Sequence, residues 1–169
     1  TEIYTLSLHD ALPISGTWGL PIIAWRTDLV SAAHRLPSIP ASLLGFVVYL
    51  TGFWILASAH HDLNHNWTLS PEIIHNQKLV TTGLYASIRH PIYAAVWMMT
   101  IAQALIIPNW AAGFSGMVSF LPLYLFRVRA EERMMPEYFG TQYQQYLQQT
   151  GRLIPKPARK PVLMKPDYD

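Results

Sequence analysis

"PIYAAVWMMTIAQALIIPNWAAGFSGMVSFLPLYLF", residues 91–126, contains no Asp, Glu, Lys or Arg in 36 consecutive positions. One straight helix of that length would run ~54 Å at 1.5 Å per residue, far past the ~30 Å hydrocarbon layer of a bilayer. The block divides naturally at "PNW" (108–110). Pro108 lacks an N–H and disfavours helix in the residue before it, and Trp110 suits a membrane interface. The reading is two short antiparallel membrane spans, about 92–107 and 110–127.

The rest of the chain agrees with a membrane assignment. Of its 169 residues 51% are hydrophobic and 13% charged, against about 25% charged in soluble domains. "ASLLGFVVYLTGFWILASAH" (41–60) is a third full-length span, with Tyr49 and Trp54 available for interfacial or packing roles. "GTWGLPIIAW" (16–25) is apolar but too short to span, and reads as the tail of a helix whose beginning is missing. Residues 61–90 form a polar segment rich in His and Asn, and long loops of this kind are often functional. From Arg127 the chain turns polar. Residues 127–150 have helical spacing, with Met134, Tyr138 and Tyr143 to Leu147 as an amphipathic stripe, and 156–169 read as a flexible tail. The fold class is therefore all-α: a polytopic integral membrane protein with a truncated first helix, three recognisable transmembrane helices and a cytosolic C-terminal helix.

The opening stretch "TEIYTLSLHDALPIS" has neither helical nor strand period. Residues 1–14 match the in-frame translation of a common sequencing-library adapter, so 1–15 are set apart as an artefact and 16–155 taken as the domain. Without 1–14 the chain has 12 basic and 8 acidic side chains, or +4, too small an excess to point to nucleic acid. Its placement says more, because eight of the twelve Lys and Arg lie at or after position 127 and the 108–110 turn has none. Positive-inside reasoning puts the C-terminal region and the 61–90 segment together on the cytoplasmic side. There are no cysteines, so the sequence says nothing of disulfides, thiol nucleophiles or thiolate metal sites. His61 and His65 of "HHDLNH" (60–65) are four apart, but no second histidine box accompanies them, so a metal is not expected.

Three motifs gather at the membrane–cytoplasm boundary: "LVTTGLYASIRHPIY" (79–93), "RVRAEE" (127–132) and "YFGTQYQQY" (138–146). Together with "LNHNW" and the closing "TGRLIP", they give a chain that resembles the integral-membrane isoprenylcysteine carboxyl methyltransferases and their bacterial relatives, which include phospholipid methyltransferases. The resemblance covers nearly all of 17–155. It implies an S-adenosyl-L-methionine-dependent methyltransferase acting on a lipophilic or lipidated acceptor in contact with membrane lipids. The compact form is similar to bacterial members, implying an inner-membrane protein with its active site facing the cytoplasm. Carried over by motif, the cofactor site falls on Gln77, Lys78, Leu79, Val80, Tyr85, His90, Pro91, Ile92, Tyr93 and Glu131. The catalytic role of orienting a substrate carboxylate falls on Arg127.

The residue types suit that chemistry independently. Such a cofactor presents an ammonium, a sulfonium and an adenine, which call for an acid, for aromatic faces and for hydrogen bonds. Cation–π contact with a tyrosine face contributes ~0.5–2 kcal/mol. Arg127 and Glu131 are four apart and share a helix face where the last span meets water. Each also has a plain alternative, a snorkelling arginine and a solvated acid, and His90 alone would read as an interfacial histidine bonded to backbone. Gly83 reads as a turn with positive φ, Glu132 as structural, and Arg89 as a partner of Glu132 or of lipid phosphate. The methyl acceptor stays open between a prenylcysteine-type carboxylate and a phospholipid amine. Two other readings remain: an NADPH-dependent membrane reductase of the sterol reductase type, and a non-catalytic membrane protein.

Overall fold

The computed structural model describes residues 19, 21–23, 33, 36, 38–63 and 78–156. The opening peptide 1–15, residues 64–77 of the 61–90 segment, including Gln77, His65 and the Asn66–Trp67 pair, and 157–169 lie outside the described residues. Within them the named elements are all helical: α1 (Ile39–Leu63), a 3-10 turn (Gly83–Ala86), α2 (Pro91–Ile106) and α3 (Trp110–Gln149). α1 and α3 are long and apolar enough to cross a membrane, and α2 is a shorter apolar helix of 16 residues. Helices expected at 41–60 and 92–107 are thus present as α1 and α2.

α2 packs against both other helices. Its seam with α1 is made of small residues. Only Gly45, Gly52 and Ala59 are buried on α1, one every seven residues along a single face. A Cβ at Gly45 would lie 2.8 Å from Ile106 Cγ1 and 2.9 Å from Leu105 Cβ, and one at Gly52 would lie 3.0 Å from Met99 Cγ. Close backbone approach through small residues is how helices associate where lipid removes the hydrophobic driving force between them. The remaining faces of α1 expose Leu43, Leu44, Phe46, Val47, Leu50, Phe53 and Trp54, the composition of a helix whose solvent is lipid rather than water.

The turn between α2 and α3 falls where the proline predicts, and Asn109 caps α3 by accepting from the Ala112 N–H at 3.0 Å. Beyond position 127 the structure differs from the sequence reading. The span and the polar helix are one rod: α3 continues from the uncharged block into "RVRAEERMMPEYF", with Pro122 and Pro136 inside it. A proline removes one intrahelical hydrogen bond without having to end the helix when flanking turns stay packed. The break comes instead at Gly140, with φ 52° and ψ −128°. A Cβ there would meet nothing within 4 Å, so backbone conformation rather than space calls for glycine. The kink also resets the helical phase. Tyr143 and Tyr146 are buried while Tyr138 is exposed, so the expected stripe is two faces.

After α3 the chain returns to the site. Ile88 and Gly151 form a parallel bridge, with Arg89 N–H donating to Gly151 O (2.8 Å) and Gly151 N–H to Ser87 O (2.9 Å). His90 N–H donates to Arg152 O (3.1 Å) and Lys156 N–H to Ser87 O (3.2 Å). Residues 150–156 thus form a strap across the 87–90 loop, at the charged end of the α2–α3 hairpin.

Candidate active site

The "RHPIY" motif sits at the start of α2. His90 is its N-cap residue and Pro91 follows in the first turn, where a missing N–H is tolerated. Pro91 is fully buried and fixes the direction in which α2 leaves the loop. One turn on, Tyr93 donates its hydroxyl proton to Glu131 Oε1 at 2.5 Å. His90, 9% exposed, lies between two carboxylates: Nδ1 is 3.4 Å from Glu131 Oε2, and Nε2 is 3.3 Å from Glu132 Oε1. Three of the residues named from the sequence, His90, Tyr93 and Glu131, therefore meet directly across two helices. Arg127 lies one turn before Glu131 on α3, half-buried, with its charge in electrostatic reach of the Tyr93 hydroxyl.

Tyr85 is buried in the 3-10 turn, and its backbone carbonyl accepts from the Tyr146 hydroxyl at 2.8 Å. Burial first, then Tyr146, Asp62 and Glu131, push its phenol above the ordinary range, so it remains a proton donor. Gly83, which opens the turn, has φ 59°, and a Cβ on it would overlap the Asp62 carboxylate. That carboxylate accepts from the Leu84 N–H at 2.8 Å, tying the end of α1 to the turn. Asp62 carried no signal in the sequence reading, because a partner 22 residues away leaves no local period.

The other named residues contribute differently. Ile92 is half-buried in α2 and apolar. Lys78, exposed, and Leu79 and Val80, half-buried, form an irregular run ahead of the turn. Among the described residues no hydrogen bond or ion pair links that run to Glu131. His60 Nδ1 lies 2.8 Å from Leu56 O of its own helix, and His61 is 3.9 Å from Asp62.

The charged groups beneath the site form one network. Glu132 meets Arg152 as a fork, with Nε to Oε1 at 2.9 Å and Nη2 to Oε2. Arg89 Nη2 is 3.6 Å from the same carboxylate. Burial opposes ionisation of Glu132, but His90 and Arg152 outweigh it and hold the acid down to about 2. Burial likewise opposes charge on His90, yet the hydrogen bonds its ring donates to Glu131 and Glu132 carry its pKa above the ordinary value. Arg89 also donates to Thr150 O at 2.5 Å and Leu147 O at 3.4 Å, closing the C-terminal carbonyls of α3. Arg89 pairs with Glu132, one of the two partners considered for it from sequence, and this helix-capping role was not anticipated. Below the charges Tyr124 meets Tyr93 and Trp97 edge to face, Trp97 meets Phe120 likewise, and Tyr93 and Phe120 are tilted, with centroids 5.2–6.3 Å apart.

Comparison with known proteins then places the chain. The model of the phospholipid methyltransferase family matches residues 40–142. The chain belongs to this family. The match covers α1, α2 and most of α3, including every polar contact between His90, Tyr93, Glu131 and Glu132. Among similar proteins, a protein-S-isoprenylcysteine O-methyltransferase of Tribolium castaneum is 33% identical over 137 residues, 81% of this chain and 44% of that protein. The Saccharomyces cerevisiae enzyme of the same name is 27% identical over 136 residues, 76% of this chain and 54% of its own length. Methanethiol S-methyltransferase 1 of Bradyrhizobium diazoefficiens is 29% identical over 142 residues, 80% of this chain and 47% of that one. The eukaryotic intramembrane Ras methyltransferase, isoprenylcysteine carboxyl methyltransferase, has a solved structure of the same fold, with TM-score 0.65 at 25% identity. The likeness covers 90% of this chain and 54% of that one. This family member spans about half the length of the curated relatives it matches.

Proposed function

We propose that this protein is an S-adenosyl-L-methionine-dependent methyltransferase that works at the cytoplasmic face of a membrane on a lipophilic acceptor bearing a carboxylate. The observation that carries the reading is the junction of His90, Tyr93 and Glu131 one helical turn from Arg127, where the uncharged hairpin meets polar sequence. The donor set suits the cofactor. Glu131 keeps one-fifth of its side chain exposed, leaving carboxylate lone pairs for an ammonium. The Tyr93 ring and its aromatic neighbours offer π faces to a sulfonium.

When bound, S-adenosyl-L-methionine supplies an electrophilic methyl group on sulfur. The protein's part is to position and to exclude water. Glu131, fixed by the Tyr93 hydroxyl and by His90, receives the ammonium. Arg127 orients the acceptor carboxylate through a two-pronged pair. Held there, the cofactor would supply its methyl group to a carboxylate oxygen and would leave as a neutral thioether, so an ester could form with no proton for the protein to move.

That last point favours a carboxylate. An amine or thiol acceptor must lose a proton, and the two glutamates beside His90, the base at hand, favour its protonated form. The test is transfer of labelled methyl from S-adenosyl-L-methionine by the membrane-embedded protein to three acceptors: a prenylcysteine analogue, a phospholipid amine and methanethiol. Labelling of the prenylcysteine carboxyl is expected. Labelling of the amine or thiol alone contradicts the choice of acceptor, and no labelling of any of the three contradicts the reading.

A further inference from the structure

Glu131 and Glu132 are neighbours on α3, so their side chains leave the helix about 100° apart. They serve one site only because the His90 ring stands between them, 3.4 Å from one and 3.3 Å from the other. Glu132 itself is oriented from outside the hairpin. Arg152, 20 residues on, grips both of its oxygens, and Arg152 is delivered by the strap whose backbone is stitched to Ser87, Arg89 and His90. Glu132 is 17% exposed and Arg152 52%, so the fork is closed on one side and accessible on the other.

We propose that Arg152 and Glu132 are positioning residues for cofactor binding: Arg152 fixes Glu132, Glu132 fixes the His90 ring, and His90 holds Glu131 in place for the cofactor's ammonium. The proposal rests on the reading of Glu131 as the ammonium's partner. It makes the strap more than a clamp on the C-terminus, since a loosened strap withdraws Arg152 and leaves His90 tethered on one side. The groups facing His90 are Glu131 and Glu132 from α3 and the Tyr93 ring from α2, at a centroid distance of 5.6 Å. Behind them, Arg152 from the strap and Arg89 from the loop share Glu132, and Tyr143 lies within electrostatic reach of both glutamates. Removing the Glu132 charge leaves Glu131, among the described residues, as the only carboxylate directly facing the ring, so His90 must release its proton at lower pH.

The test uses the full chain in detergent micelles. One arm is calorimetric titration with S-adenosyl-L-methionine. The other is nitrogen-15 histidine NMR of the cofactor-free protein, with the His90 signals assigned through H90Q. In E132Q and R152A cofactor affinity is expected to fall about tenfold or more, the loss of a charge-assisted bond, and in E132Q His90 should titrate at lower pH than in the wild type. R152K keeps the charge without the fork and should fall between R152A and wild type. If E132Q does not fold, E132D, which withdraws the carboxylate by one methylene, should show the same changes at smaller size. Unchanged affinity together with an unmoved His90 titration overturns the proposal and leaves Arg152 a clamp for the strap. A wild type that binds no cofactor overturns the functional reading, and the NMR arm still decides whether Glu132 sets the state of His90.

Discussion

The two ends of the α2–α3 hairpin are closed by different chemistry. At the turn everything is neutral: Asn109 caps Ala112, while Gln103 donates to Ala112 O at 2.8 Å and to Ser115 Oγ at 3.3 Å. At the other end, His90, Glu131, Glu132, Arg89 and Arg152 crowd together. Gathering charges into partly buried sites costs desolvation that ion pairing often only offsets. The turn demonstrates that the same pair of helices can be joined with amides and hydroxyls alone. Stability does not call for charge at the far end, and the proposed ligand chemistry does.

Substitutions can break that contrast. The largest effect belongs to the site end: E131Q keeps the shape but removes the charge, and methyl transfer should drop on the order of 10²-fold. Near-normal turnover would place the ammonium elsewhere. Next, G83A forces a side chain into positive φ and against the Asp62 carboxylate. It should lower stability by about 2 kcal/mol, read as a lower midpoint of thermal unfolding in detergent. Q103A at the turn loses two hydrogen bonds but also removes a buried amide oxygen, Oε1, that has no partner. The net cost should be about 1 kcal/mol, with KM and kcat unchanged.

The smallest effect is with pH, and it should be confined to the site end. Glu132 is held low, at about 2, so its contribution is complete above the ordinary carboxylate value of 4.5 and disappears as pH falls through the lowered one. His90 is held high, so its contribution is complete below the ordinary 6.5 and disappears as pH rises through the raised value. Stability from this network should therefore plateau between roughly pH 4.5 and 6.5. The thermal midpoint should decline above that window in wild type and decline less in E132Q.

The same contrast explains what the sequence made legible. The uncharged block, its division at Pro108–Trp110 and the α1 span are properties of contiguous composition, and each appears in the structure. So does the positive φ at Gly83, a local backbone demand. The meeting of Tyr93 with Glu131 was legible through motif resemblance, whereas spacing alone reached only Arg127 and Glu131. The run of α3 through Arg127 to Gly140 was missed because a change from apolar to polar residues looks like an element boundary, although helix geometry is indifferent to it. Arg152, Asp62 and the capping role of Arg89 were missed because their partners lie 20, 22 and about 60 residues away. Such pairs are set by tertiary packing and leave no period to read.

The central claim is that the charged end of the hairpin holds S-adenosyl-L-methionine through Glu131. Calorimetric titration of the purified protein with S-adenosyl-L-methionine and with NADPH, in wild type and in E131Q, tests it most directly. The account predicts that wild type binds S-adenosyl-L-methionine, that E131Q binds it at least tenfold more weakly, in keeping with a lost charge-assisted contact, and that NADPH gives no heat of binding. Binding of NADPH without S-adenosyl-L-methionine, or equal affinity in E131Q and wild type, would contradict it.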